Sequence, residues 1–226
     1  MATIERKNIV ITGGSRGIGY EAARLFVEQG HRVWVLSRSE VGYSGIRWIG
    51  CDLSDHASVE SAAMIIRSEV ERVDILLHNS GYLVNSPFDS ITPEQLVASY
   101  GVNVFGPFWL TQHLLPVLRG AHVVGISSMG GISGTSKFPG LAAYSSSKGA
   151  IIPLFELLQE ELGASHVLSF NILALGAVQT EMLSAAFPGY QAPLSAFEMG
   201  KYVVDFCLNG HKYFKGKVLP VSVSTP

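Results

Sequence analysis

Apolar positions along this chain fall into two patterns. Short unbroken runs, rich in Val and Ile, alternate with longer stretches in which apolar residues recur every three or four positions. The runs are KNIVIT (7–12), RVWVLS (32–37), IRWIG (46–50), VDILLHN (73–79), AHVVGISS (121–128), VLSFNILAL (167–175) and GKVLPVSV (216–223). Their length and β-branched content predict strands. Their near-continuous apolarity, in place of strict alternation, predicts strands covered on both faces. The periodic stretches predict helices over Gly17–Gln29, closed by Gly30, and over Asp55–Glu71, capped by Ser54 or Asp55. A third helical pattern, 92–118, opens with Thr92, Pro93 and Gln95, a capping box with proline in the first turn. Gly101, Gly106 and Pro107 inside it predict close packing or a bend. A helix over 143–163 carries Pro153, which removes a backbone donor and predicts a bend there. The last helix, 196–208, has Ser195 and Glu198 as a second capping box and Gly210 beyond its end.

Strand–helix alternation implies βαβ units and an α/β fold with a mostly parallel sheet. No linker, repeat or low-complexity tract interrupts it. Residues 1–226 therefore read as a single domain, with a short segment around 177–195 left to cover one end of the sheet. The tail after the last strand, STP, is also short.

Composition narrows the picture. Of 226 residues, 47% are hydrophobic and 15% charged, so a large core is available under a lightly charged surface. A net charge of −2 argues against a nucleic-acid footprint. No apolar run has membrane-spanning length, and the first residues carry no signal-peptide pattern. Cys51 and Cys207 form no metal-type cluster and read as buried thiols. The expectation is a cytoplasmic, globular protein without a metal.

The first strand runs into TGGSRGIG (12–19) and then into a helix. Gly14, Gly17 and Gly19 depart from the G-x-G-x-x-G order, but the physical demands are those of a dinucleotide turn. The chain must turn tightly, approach a pyrophosphate closely, and pack its next helix against the strand. Gly13, Ser15, Arg16, Gly17, Ile18 and Gly19 are thus candidates to hold the phosphates, with backbone N–H groups at the helix start. NAD sites place an acid at the end of the second strand for the ribose hydroxyls. Here Ser37 and Arg38 stand there, and Arg16 is near. Two guanidiniums suit a 2′-phosphate, so NADP(H) is expected over NAD(H). Glu40 is the counter-evidence, at about 20 residues past the turn.

AAYSSSKGA (142–150) places Tyr144 and Lys148 at i and i+4, on one helix face. Ser128 ends the fifth strand, and Asn103 lies in the third helical pattern. With these residues in place the chain resembles the short-chain dehydrogenase/reductase family along almost its whole length. TGGSRGIG matches the family's T-G-x-x-x-G-x-G. HNSG (78–81) stands where the family has N-N-A-G, with Asn79 and Gly81 matching and His78 and Ser80 departing. NILALGAVQTEM (171–182) resembles N-x-x-x-P-G-x-x-x-T, with Leu175 in place of the proline and Gly176 and Thr180 retained.

The resemblance implies a doubly wound, Rossmann-like sheet in the order 3-2-1-4-5-6-7. It implies further cofactor contacts at Asp52 and Leu53 around the adenine, at Asn79, Ser80 and Gly81, and at Gly176, Val178 and Thr180 over the nicotinamide. Tyr144 and Lys148 would hold the ribose, and the family's pairing of helices across two-fold axes implies a homodimer or homotetramer.

The chemistry agrees with this. Ketone reduction needs a hydride, which nicotinamide supplies, and a proton donor. A tyrosine has a pKa of about 10, and a nearby ammonium lowers it. Tyr144 reads as general acid/base, Lys148 as its modulator, Ser128 as donor to the substrate oxygen, and Asn103 as support for a proton relay through water. Ser127 is the alternative serine, because the segment from Ser128 to Tyr144 is slightly longer than is common in the family. Ser145 to Ser147 read as small residues giving clearance. His31, His56 and His166 are expected at the surface, and His78 as a satisfied core group.

Met129, Phe138, Leu141, Val178, Met182, Phe187 and Tyr190 are candidates to line the substrate site. With no basic clamp among them, a small, mainly apolar carbonyl or alcohol is expected, in a pocket left open by a short lid. A non-catalytic NADP-binding sensor on the same fold is the alternative. An epimerase or dehydratase would call for a larger C-terminal substrate domain.

Overall fold

The computed structural model describes residues 5–223; the STP tail, 224–226, lies outside the described residues. Seven strands form one sheet: β1 Asn8–Thr12, β2 Arg32–Ser37, β3 Ile46–Gly50, β4 Ile75–His78, β5 His122–Ser128, β6 Ser169–Leu175 and β7 Lys217–Val221. Their order is β3-β2-β1-β4-β5-β6-β7. Every neighbouring pair is parallel, so the mostly parallel sheet of the sequence reading is wholly so.

The continuous apolar runs follow from this layering. Val10 of β1 and Leu76 of β4 point into one core with Val59 and Ile66 of α2 (His56–Glu69), Leu110 of α4 (Gly106–Leu114) and Phe155 of α5 (Ala142–Leu162). Ile9, Ile11, Ile75 and Leu77 point the other way, against Phe26 of α1 (Gly17–Glu28) and Val203 of α7 (Ala196–Asn209). Successive strand residues feed opposite cores, so both must be apolar. Phe26 and Phe155 are fully buried; truncating either to Ala should cost about 3–5 kcal/mol.

The 92–118 pattern is not one helix but four pieces, the last a 3-10 turn at Leu115–Val117. After α3 (Pro93–Tyr100), with both bonds of its Thr92–Gln95 capping box, the chain makes a π-helical turn over Gly101–Phe105 and continues as α4. The glycines explain the break. A Cβ on Gly106 would lie 2.7 Å from the Leu53 carbonyl, so α4 presses directly on the segment after β3. In α5 the helix continues unbroken through Pro153, which is exposed. The missing N–H leaves the Gly149 carbonyl without its i+4 donor, and Tyr144 and Lys148 lie on the turns before that point.

Two expectations change. His31 is buried and accepts the Lys7 backbone N–H at Nδ1, 3.3 Å away, because Gly30, at φ +86°, turns the chain so that the ring packs near Phe26. His78 is only half satisfied: Nε2 pairs with Thr111 Oγ1 at 2.9 Å, whereas Nδ1 is buried without a partner. A short helix not read from the sequence, α6 (Glu181–Ala186), lies in the segment between β6 and α7. Cys51 and Cys207 are buried free thiols, both pushed above the ordinary thiol range by burial. Among the described residues no helix is long and apolar enough to cross a membrane, and no cluster of three or more metal-ligating side chains occurs.

Candidate active site

The carboxyl ends of β1, β4, β5 and β6 open into one cavity of about 530 Å³. At one end lies the glycine turn. Gly13 has φ +71°, and a Cβ there would lie 2.7 Å from Ser80 Oγ. The turn is braced from β4: Asn79 Nδ2 donates to the carbonyls of Thr12 and Gly13 at 3.1 and 3.0 Å, and Thr12 Oγ1 accepts the N–H groups of Asn79 and Ser80. Gly19 sits behind the turn, where any Cβ would overlap the Asn79 amide. It shapes the wall without lining it. α1 starts at Gly17 with Arg16 as its N-cap, and no side chain caps it. Its first N–H groups are therefore free to meet an anion.

Gly13, Ser15, Arg16, Gly17 and Ile18 line this end of the cavity, and Arg38, Asp52 and Leu53 follow along its edge. Asp52 Oδ1 accepts from both N and Oγ of Ser54, at 2.9 and 2.7 Å. These bonds, helped by Arg38, hold its carboxyl below the usual range. Arg16 and Arg38 are exposed at the rim, and Glu40 lines the same edge.

Asn79, Ser80, Gly81, Gly176, Val178 and Thr180 line the middle of the cavity. Beyond them stand Ser128, Tyr144 and Lys148. Lys148 is 3% exposed; its ammonium donates to the carbonyls of Ile126 at 2.8 Å and Ser80 at 3.3 Å. Burial lowers its pKa to about 8. Burial raises that of Tyr144 to about 12, partly opposed by a hydrogen bond with Ser128. The lowering expected from Lys148 is not felt at Tyr144, because the ammonium is turned onto main-chain carbonyls. Tyr144 holds its proton throughout the neutral range, the form that ketone reduction uses.

The two adjacent serines have different surroundings. Ser127 Oγ donates to the Lys148 carbonyl at 2.5 Å. Ser128 Oγ accepts the Gly130 N–H at 3.2 Å and adjoins the Tyr144 hydroxyl. The turn after β5 sets this arrangement. A Cβ on Gly131 would lie 2.7 Å from the Lys148 backbone, so strand end and helix approach at main-chain distance.

Asn103 is buried behind the wall. It pairs with the main chain of Tyr82 in both directions, at 2.9 and 3.0 Å, and donates to Ser147 Oγ at 2.8 Å. Ser147 Oγ in turn donates to the Tyr144 carbonyl at 2.7 Å. Ser147 is therefore a node tying the π-helical turn to the tyrosine's own backbone, a role beyond clearance. Tyr82 and Ser147 were not legible as site residues, since only tertiary placement shows where their polar groups point.

Of the expected substrate-site residues, Met129, Phe138, Leu141, Met182 and Phe187 line the cavity beyond Val178, joined by Tyr82, Leu83 and Leu183; Tyr190 is not among the lining residues.

The family model for short chain dehydrogenases matches residues 7–191. The chain belongs to the short-chain dehydrogenase family. It is accordingly an oxidoreductase acting on CH–OH and C=O groups with a nicotinamide cofactor. A diacetyl reductase ((S)-acetoin forming) of Staphylococcus aureus is 30% identical over 86% of this chain and 78% of its own length. Among solved structures, the Pseudomonas aeruginosa RhlG/NADP active-site complex is 27% identical with a TM-score of 0.84, covering 96% of this chain and 94% of that one. A 3-ketoacyl-(acyl-carrier-protein) reductase from Brucella melitensis complexed with NADH shares the fold, with 24% identity, a TM-score of 0.86 and coverage of 96% and 97%. The glycine turn of this short-chain dehydrogenase, its uncapped helix start and the continuous groove suit a dinucleotide.

Proposed function

We propose that this dehydrogenase reduces small, mainly apolar carbonyl compounds, with NADPH preferred over NADH. The observation that carries the reading is that Ser128, Tyr144 and buried Lys148 line one cavity continuous with the glycine turn. Bound nicotinamide supplies hydride. Ser128, its oxygen occupied by the Gly130 N–H, keeps its own proton to donate toward the substrate oxygen. Tyr144 then gives that oxygen its proton. Lys148, held by two carbonyls, would hold a ribose hydroxyl of the bound cofactor and supply positive charge to the site as the phenolate forms. Asn103 is a positioning residue, acting on Tyr144 through Ser147.

Arg16 and Arg38 at the rim support the 2′-phosphate preference, with Glu40 opposing it. The diacetyl reductase similarity supports a small carbonyl. Exposed Phe105, Phe108 and Leu157, on and beside α4 and on α5, suit a homodimer or homotetramer, and free Cys51 and Cys207 suit a cytoplasmic setting.

The test is NADPH consumption across a panel of ketones, diketones and aldehydes. Turnover of small apolar members supports the reading. NADPH binding with no turnover across the panel points to the sensor alternative. Arg38→Asp should weaken NADPH far more than NADH, and equal losses would remove Arg38 from a 2′-phosphate site.

A further inference from the structure

Three segments border the outer end of the cavity: the far part of the loop after β4 (83–87), the loop after β5 (132–141), and α6. Asn85 Nδ2 donates to the Ala186 carbonyl, at the last residue of α6, at 2.6 Å. The Ser86 N–H donates to the Gly140 carbonyl at 3.0 Å. Gly140 has φ +87°, and a Cβ there would overlap Asn85 Oδ1, so the two loops meet at backbone distance. The rings of Phe138 and Phe187 meet edge to face, centroids 6.4 Å apart at 75°, and both line the cavity.

A helix of six residues does not hold itself in water. α6 is held at both ends instead. Thr180, beside the glycine turn, accepts the Leu183 N–H at its start. At its end, a carbonyl with no partner inside the helix is capped by Asn85 from a different segment. The loop after β5 thus supplies a wall beside α6. Among the described residues lining the cavity the cations are Arg16, Arg38 and Lys148, and the two arginines lie at the glycine-turn end. None of these three lines the Phe138–Phe187 end, and Lys137, next to Phe138, is not among the lining residues and donates to the Ile132 carbonyl and Thr135 Oγ1.

We propose that Asn85 and the Phe138–Phe187 pair form a latch that sets substrate length: the site takes neutral, short-chain aliphatic ketones whose tail ends beneath the two rings, and refuses longer ones. This inference rests on the carbonyl-reductase reading above.

The test uses unbranched methyl ketones from butanone to decanone on the wild type, Phe138→Ala and Asn85→Ala. Two readouts are taken: kcat/KM with NADPH, and affinity for the enzyme–NADP+ complex, where no reduction can occur. Thermal unfolding with NADP+ confirms that each variant folds. The wild type should lose both affinity and kcat/KM beyond a length cut-off. In each variant kcat/KM for the longest ketones should rise about tenfold or more relative to that for the shortest, the scale at which an apolar pocket sorts methylenes. An identical length profile in all three proteins overturns the latch, as does absence of ketone binding in all three. A cut-off that shifts in the binding series without NADPH consumption leaves the latch standing and removes the reductase reading.

Discussion

Ser127 and Ser128 are chemically identical and adjacent, yet β5 turns their hydroxyls to different partners. The main-chain partner of Ser127 and the Tyr144 contact of Ser128 separate their roles. Ser128→Ala should lower kcat by about 10²–10³-fold, the usual loss for one donor to a developing oxyanion. Ser127→Ala should leave turnover nearly intact and reduce stability by about 1 kcal/mol in urea titration. Reversed outcomes would make Ser127 the substrate donor. Lys148 gives a pH signature. Its pKa near 8 lies below the ordinary lysine value, so it is charged below about pH 8 and loses its proton above. Ketone reduction should be level through neutral pH and decline above about 8, since Tyr144 keeps its proton to about 12. A rate level to pH 10 would contradict a role for the ammonium. Tyr144, Lys148 and Ser128 were legible from type and spacing. The Asn103–Ser147–Tyr144 chain was not, because an amide or hydroxyl reveals its partner only once the helices are packed.

At the level of elements, the site depends on close main-chain approach. Gly131→Ala places a methyl against the Lys148 backbone. It should cost about 1–3 kcal/mol through overpacking, and it should lower kcat by moving Ser128 away from Tyr144. Unchanged kcat in the folded variant would show that this contact does not set the geometry. Pro153→Ala should act in the opposite sense. It restores an N–H within α5 and should raise stability by up to about 3 kcal/mol, with kcat unchanged because Tyr144 and Lys148 precede it. A changed kcat would mean that the proline aims the catalytic turns. Strand positions and both capping boxes were readable because they are local signals. The π-helical turn was foreshadowed only as a bend at Gly101 and Gly106, and α6 was missed. Six residues carry too little periodicity, and half of that helix's capping comes from Asn85, far away in sequence.

Over the whole molecule, two cores on either side of a parallel sheet explain why the apolar pattern was so informative about the fold. Of the buried histidines, His78 was legible as a core group from its place in an apolar strand, whereas His31 was expected at the surface and His122 was not read. His78 has a pKa near 3 and His122 near 4, each lowered chiefly by burial. His122 donates from Nδ1 to the Cys207 carbonyl and accepts from Asn171 at Nε2, which fits only the neutral ring. Both folded pKa values lie below the ordinary histidine value of 6.5. The unfolded chain therefore binds protons that the native state refuses, and stability falls as pH drops from about 6.5 toward 4. Each histidine contributes up to about 1.4 kcal/mol per pH unit in that window. Urea unfolding at pH 7, 6, 5 and 4 checks this, and constant stability across the series would contradict it.

The central claim is that Tyr144 hands its proton to a carbonyl oxygen. Tyr144→Phe removes one hydroxyl and leaves the ring, so it isolates that step. Measured by NADPH consumption with the best ketone of the panel, turnover should fall by about 10²–10⁴-fold while NADPH binding stays near the wild-type value. A Tyr144→Phe enzyme that reduces the same ketone at the wild-type rate would contradict the account.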